Sequence, residues 1–142
     1  MFYVEDDTRR IRKSTRAIIA LPAPGGFITA WNWNDGGSTN LGTELRKYFQ
    51  SENIIRELLA PHSFSCVCSK KEKEELIREF PDTAKEGDFL CLSNGRYILK
   101  RKHHGSVVEG GKDGFFETID QMLQCDLNYV YVFENGKWKT YK

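Results

Sequence analysis

The chain has 142 residues, with 21 Lys and Arg against 20 Asp and Glu, a net charge of +1, and 39% hydrophobic, 13% aromatic and 29% charged residues. That length predicts a single domain spanning 1–142, and the composition excludes a disordered tail, a collagen-like chain and a membrane protein. The balanced charge excludes nucleic-acid binding by bulk electrostatics and leaves room only for a local basic patch.

The first segment is charged in blocks: Glu5, Asp6 and Asp7 precede Arg9, Arg10, Arg12, Lys13 and Arg16. Residues 1–14 read as a loosely held arm or a strand at a sheet edge. Met1–Asp7 lack the basic-then-apolar order of a secretory signal, and no stretch approaches about 18 consecutive apolar residues. The expectation is a cytoplasmic protein with no membrane partner, whose four cysteines are reduced. Thr15–Leu21 predicts a buried strand. Pro22–Gly26 must turn, because proline lacks an N–H and glycine accepts positive φ. Phe27–Asn34 alternates, with Phe27, Thr29, Trp31 and Trp33 on one face, so the two segments predict a hairpin. Asp35–Ser38 breaks the strand.

Leu41, Leu45, Tyr48 and Phe49 recur at helical spacing within Asn40–Gln50. Ser51 is a candidate N-cap for a second helix with Ile54, Ile55, Leu58 and Leu59 on one face, stopped by Pro61. Ser63–Cys68 predicts a short strand. Ser69 and Glu72 form a capping box before a helix with an apolar stripe of Leu76, Ile77 and Phe80, ended by Pro81. The acidic and basic residues of that helix, Lys73 among them, read as a solvated face with i,i+4 pairs. Asp88–Ser93 and Arg96–Lys102 predict strands around Asn94-Gly95, a two-residue hairpin signal. A glycine-rich loop runs from Gly105 to Gly114. Phe115–Cys125 predicts a helix entered through Asp113, and Asn128–Glu134 with Lys137–Tyr141 a hairpin around Asn135-Gly136. The sum is an α+β domain: an antiparallel sheet built from hairpins, with several short helices packed on it.

Chemistry-bearing patterns are few. Cys66-Val67-Cys68 has one intervening residue where paired zinc ligands usually have two to four, and Cys91 and Cys125 stand alone. His62, His103 and His104 would have to fold together to complete a metal site, so buried thiols are expected and no metal or cofactor. No local signature of a cysteine hydrolase surrounds any cysteine, so no enzymatic site is expected, and a small enzyme using Cys66, Cys68 or a histidine is the lesser alternative. The loop Gly105–Asp113 falls short of a phosphate-binding loop: a glycine separates Gly110 from Lys112, and Asp113 stands where a hydroxyl belongs. It reads as a connection between hairpin and helix.

Two patterns point to a ligand. Arg96, Lys100 and Lys102 share one face of a strand and Arg101 lies on the other; the guanidinium fork matches phosphate. The competing reading is a solvated face whose lysines protect a sheet edge. Trp31 and Trp33 have flat rings able to stack on a base, although core packing accounts for most of the aromatics. The candidate ligand contacts are therefore Trp31, Trp33, Arg96, Lys100 and Arg101, for a small phosphate-bearing nucleotide.

Three segments carry a resemblance: Phe27–Gly36 followed by Leu41-Gly42, then Tyr48–Leu59, then the ending Tyr129–Trp138. Together they resemble small proteins of phages and mobile elements, in which a strand ending in Trp-Asp-Gly leads into two helices and the chain closes on a Tyr-x-Phe-x-x-Gly-Lys-Trp hairpin. The likeness covers about half the chain. It departs at Trp33-Asn34-Asp35, where an Asn precedes Asp-Gly, and Pro61–Gly114 has no counterpart. The resemblance implies a viral protein of the anti-defence kind, acting in the host cytoplasm. Such a protein sequesters a nucleotide second messenger, as the Thoeris anti-defence sponges do, or inhibits a host effector protein or nuclease, as anti-CRISPR proteins do. It supplies no catalytic residues. A homo-oligomer is expected.

Overall fold

The computed structural model describes residues 15–100 and 114–142. The predicted arm at 1–14, the glycine-rich loop up to Asp113, and Arg101, Lys102, His103 and His104 lie outside the described residues. In chain order the elements are β1 (Ala17–Ala23), β2 (Gly26–Asn32), α1 (Leu41–Tyr48), α2 (Glu52–Leu59), β3 (Ser63–Phe64), β4 (Cys66–Cys68) and α3 (Lys70–Glu79). There follow a 3₁₀ turn (Glu86–Asp88), β5 (Phe89–Cys91), β6 (Tyr97–Leu99), β7 (Phe115–Phe116), α4 (Ile119–Leu123), β8 (Tyr129–Glu134) and β9 (Lys137–Tyr141). The fold is α+β, and among the described residues no helix is long and apolar enough to cross a membrane.

The expected single antiparallel sheet is two sheets, and the larger is mixed. Its order is β3-β2-β1-β8-β9, with β7 also on β2; a small sheet follows β4-β6-β5. β1 and β2 form the predicted hairpin, closing at Ala23↔Gly26 around Pro24-Gly25. Gly25 has φ +84, and a preceding proline with φ preset near −65° is the combination that a type II turn demands. β8 runs parallel to β1, pairing Ala17 with Tyr129 and Ala20 with Val132. The β8–β9 hairpin turns at Asn135 (φ 55) and Gly136 (φ 75), the two positive-φ positions of a two-residue turn whose twist matches the strands.

β1 is covered on both faces, which explains its unbroken apolar run. Ala17, Ile19 and Leu21 pack with Ala30, Tyr131 and Phe133 against Leu41 and Leu45 of α1, Ile55 and Leu58 of α2, and Ile98 of β6. Ile18 and Ala20 pack with Trp31, Val130 and Val132 against Phe116 and Met122. α3 closes a third cluster, in which Leu76 meets Cys66, Cys68, Leu99 and Ala84.

Several local expectations are corrected. Ser63–Cys68 is two strands in different sheets. Ser65 bridges them, donating its N–H to Leu99 O at 2.8 Å while its carbonyl accepts from Asn34 N–H at 2.8 Å. Phe115–Cys125 is not one helix: Phe115 and Phe116 pair with Ile28 and Phe27, and the helix starts later, at the reciprocal cap of Thr118 and Gln121. The Asn94-Gly95 turn has three residues, because Leu92 N–H donates to Arg96 O at 2.8 Å, and Gly95 (φ +85) takes the left-handed position. The Ser69–Glu72 capping box is present as read. The face of α3 is not wholly solvated: Lys73 is buried, its Nζ 2.6 Å from Glu86 Oε2 and 4.6 Å from the Tyr97 ring centroid. Phe80 is exposed, since the chain leaves the helix there, and so is Tyr48, past the last inward turn of α1.

Candidate functional site

The four sequence-predicted contacts within the described residues do not converge. Trp31 is 1% exposed, within the cluster on the side of the large sheet away from α1. Its ring stacks on Trp33 at 5.0 Å between centroids and 17° between planes. Trp33 donates from Nε1 to Ser63 Oγ at 3.0 Å, and the Arg16 guanidinium sits 5.7 Å from its centroid. These rings are occupied by the protein itself, and burial removes Trp31 as a stacking platform. Lys100 is exposed after β6, its N–H donating to Asp88 O at 2.9 Å. Arg101 lies outside the described residues. Of the described four, Arg96 is the one that lines the cleft described next.

That cavity is an open cleft of about 900 Å³ between α3 on one side and α1 with its preceding loop on the other. The loop is held from below. Tyr131 Oη donates to Gly36 O at 2.7 Å, a buried bond, and Gly36 N–H donates to Thr15 O at 3.0 Å. Burial is the main cause holding the Tyr131 phenol above its ordinary range, so it stays a donor. A Cβ on Gly36 would stand 3.0 Å from both Ala17 Cβ and Thr15 O, so this close approach calls for glycine. Gly37 O then accepts from Gly42 N–H at 3.1 Å, which sets the first turn of α1 on the loop. Asp35, at φ 59, Thr39 and Asn40 form the rim.

The β5–β6 hairpin supplies the remaining wall. Its tip is tied to α1 and α2 by polar bonds. Asn94 Nδ2 donates to Tyr48 O at 2.8 Å, and Glu57 accepts from Ser93 N–H at 2.9 Å and Ser93 Oγ at 2.5 Å. Arg96 makes a fork with Glu44, Nε to Oε2 at 2.5 Å and Nη2 to Oε1 at 2.8 Å, with both side chains 15% exposed or less. Its guanidinium also lies 4.0 Å from the centroid of the Tyr48 ring, which is 40% exposed. The Glu44 carboxylate holds the guanidinium above its usual range, so Arg96 is charged at every relevant pH. Lys47, Lys71, Glu72 and Glu75 complete the charged lining. Both α1 and α3 begin at the cleft, where first-turn N–H groups carry partial positive charge.

Comparison with protein families, with curated proteins and with solved structures found no match.

The cysteines sit away from this chemistry. Cys66 and Cys68 share the face of β4 that packs on Leu76, and a thiol–thiol hydrogen bond, followed by burial, pushes the Cys68 thiol well up. A thiol so protonated is a poor nucleophile. Among the described residues no three His, Cys, Asp or Glu side chains are grouped to hold a metal ion. Sequence reasoning missed Tyr48, Glu44, Lys47, Lys71 and Glu75 as cleft residues. Tyr48 reads as part of the apolar stripe of α1, and only its exposure separates it from the fully buried Phe49. Nothing local marks Glu44 as the partner of a residue 52 positions away.

Proposed function

We propose that the protein is a non-catalytic binding module that takes a small phosphate-bearing nucleotide in the cleft between α1 and α3. The observation that carries this reading is the Arg96–Tyr48 stack on the wall of a polar cleft that also presents Lys47 and Lys71. A nucleotide needs a flat surface for its base and cations or N–H donors for its phosphate. The exposed Tyr48 ring supplies the first, and the two lysines with the starts of α1 and α3 supply the second. Trp31 and Trp33 are not contacts in this reading, because the fold uses their rings. The resemblance to phage and mobile-element proteins is the reason to place the ligand among the signalling nucleotides of a host defence, with sequestration in the host cytoplasm as the mode of action.

The first experiment denatures the purified protein and identifies released small molecules by mass spectrometry, with the native mass measured in parallel to give the number of chains. A nucleotide in stoichiometric amount is expected. Tyr48→Ala and Lys71→Ala should each weaken binding about tenfold, roughly 1.4 kcal/mol, with the melting temperature little changed because both side chains are exposed. Unchanged affinity in both variants would remove the cleft as the site. A protein that stays empty after exposure to nucleotides, yet captures a host nuclease or effector, would favour the inhibitor reading instead.

A further inference from the structure

Cys66 and Cys68 lie two residues apart on β4, so their side chains share one face of the small sheet, where they are 5% and 3% exposed. Leu76 of α3, Ala84 and Leu99 pack with them. The two thiols are close enough to hydrogen-bond to each other. We propose that this pair is a two-coordinate site for a soft monovalent cation, copper(I), held between the two sulfurs. Thiolate is a soft donor that suits copper(I), zinc and iron–sulfur clusters. Structural zinc takes four ligands in a tetrahedron, and iron–sulfur clusters are held by four cysteines. Neither fits this pair, since among the described residues no three His, Cys, Asp or Glu side chains are grouped to hold a metal ion. Copper(I), with a filled d shell, is satisfied by two thiolates in line.

Binding forms two copper–sulfur bonds and releases both thiol protons to water, with no electron transferred. The thiols need no prior ionisation, because a coordinating thiol is deprotonated by the metal itself. The complex carries one negative charge, and its surroundings limit the cost. Lys73, buried one turn before Leu76, holds its ammonium 4.6 Å from the ring centroid of Tyr97, the residue directly across from Cys68. Its partner Glu86 lies largely in solvent. Of the carboxylates that act on Cys68, Glu44 is balanced by its fork with Arg96 and Glu72 is exposed. β4 is an outer strand of the small sheet, so the ion reaches the pair without parting two strands.

Anaerobic titration of the reduced full chain with copper(I), in competition with the chromophoric chelator bicinchoninate, tests this. The protein is expected to withdraw one copper per chain from the chelator. Cys66→Ser and Cys68→Ser should each weaken that binding by at least about a hundredfold, while Cys91→Ser and Cys125→Ser leave it unchanged. Circular dichroism establishes that each variant is folded. X-ray absorption at the copper edge of the unaltered protein depends on no variant, and two sulfur neighbours without nitrogen are expected there. Copper that stays with the chelator, binding undiminished in the folded Cys66→Ser and Cys68→Ser variants, or a third ligand in the absorption spectrum would each overturn the proposal. None of these outcomes bears on the nucleotide reading of the cleft.

Discussion

In the large sheet β1 sends Ala17, Ile19 and Leu21 to one face and Ile18 and Ala20 to the other, each no more than 1% exposed. In the small sheet each strand is three residues long and its outer strand leaves Leu90 41% exposed. The first is held by apolar surface removed from water, about 1.5–3 kcal/mol for each large side chain. The second owes much of its docking to polar bonds at one hairpin tip, Ser93 on Glu57, Asn94 on the Tyr48 carbonyl and Arg96 on Glu44. The cleft lies between α1 and α3 beside the small sheet, so one of its walls depends on geometry that polar groups fix. Apolar burial tolerates small shifts, whereas a forked ion pair has one good geometry.

Substitutions in the two regions should therefore fail in different ways. Ile19→Ala, at the centre of the large sheet, should cost about 2–5 kcal/mol and lower the urea midpoint without altering the slope. Glu44→Ala strands a guanidinium that is only 15% exposed and should cost about 2–3 kcal/mol. A double-mutant cycle with Arg96→Ala should recover much of that loss; additive effects would show that the fork does not join hairpin to helix. Tyr131→Phe removes the buried bond to Gly36 O and should cost about 1–2 kcal/mol, read as a lower melting temperature. The smallest effect is acid loosening of the hairpin tip. Donation from the Ser93 hydroxyl, then from the Ser93 N–H, holds the Glu57 carboxyl below its ordinary range. A carboxyl lowered in the folded state contributes fully above the ordinary value of about 4.3, and that contribution fades as the pH falls through the lowered value. The Ser93 amide resonance should titrate with a midpoint under about 4.3 and lose the transition in Glu57→Gln; a midpoint at or above that value would contradict the clamp.

Much of the fold is legible in the sequence where the determinants are local. The capping box at Ser69–Glu72, the Pro24-Gly25 and Asn135-Gly136 turns and the inward faces of β1 and α2 are read from residues within one turn or one strand pair of each other. The misreadings fall where a distant partner decides. Phe115 and Phe116 carry helical-looking spacing with Ile119 and Met122, yet they pair with β2, whose edge offers unfilled backbone groups. Ser65 splits a predicted strand because two different sheets claim its N–H and its carbonyl. Trp31 and Trp33 alternate correctly, but alternation gives the face and not whether α4 and β7 will cover it.

The amino-acid sequence by itself determined the α+β character, the hairpins, most helix starts and the apolar faces, because turn chemistry, capping and periodicity act over a few residues. Tertiary structure alone decided that the sheets are two, that β1 and β8 run parallel, and that Arg96 meets Glu44 and Tyr48 at a cleft. Those outcomes depend on which surfaces far apart in the chain bury each other, and on a charge finding its partner only after the chain has closed around it.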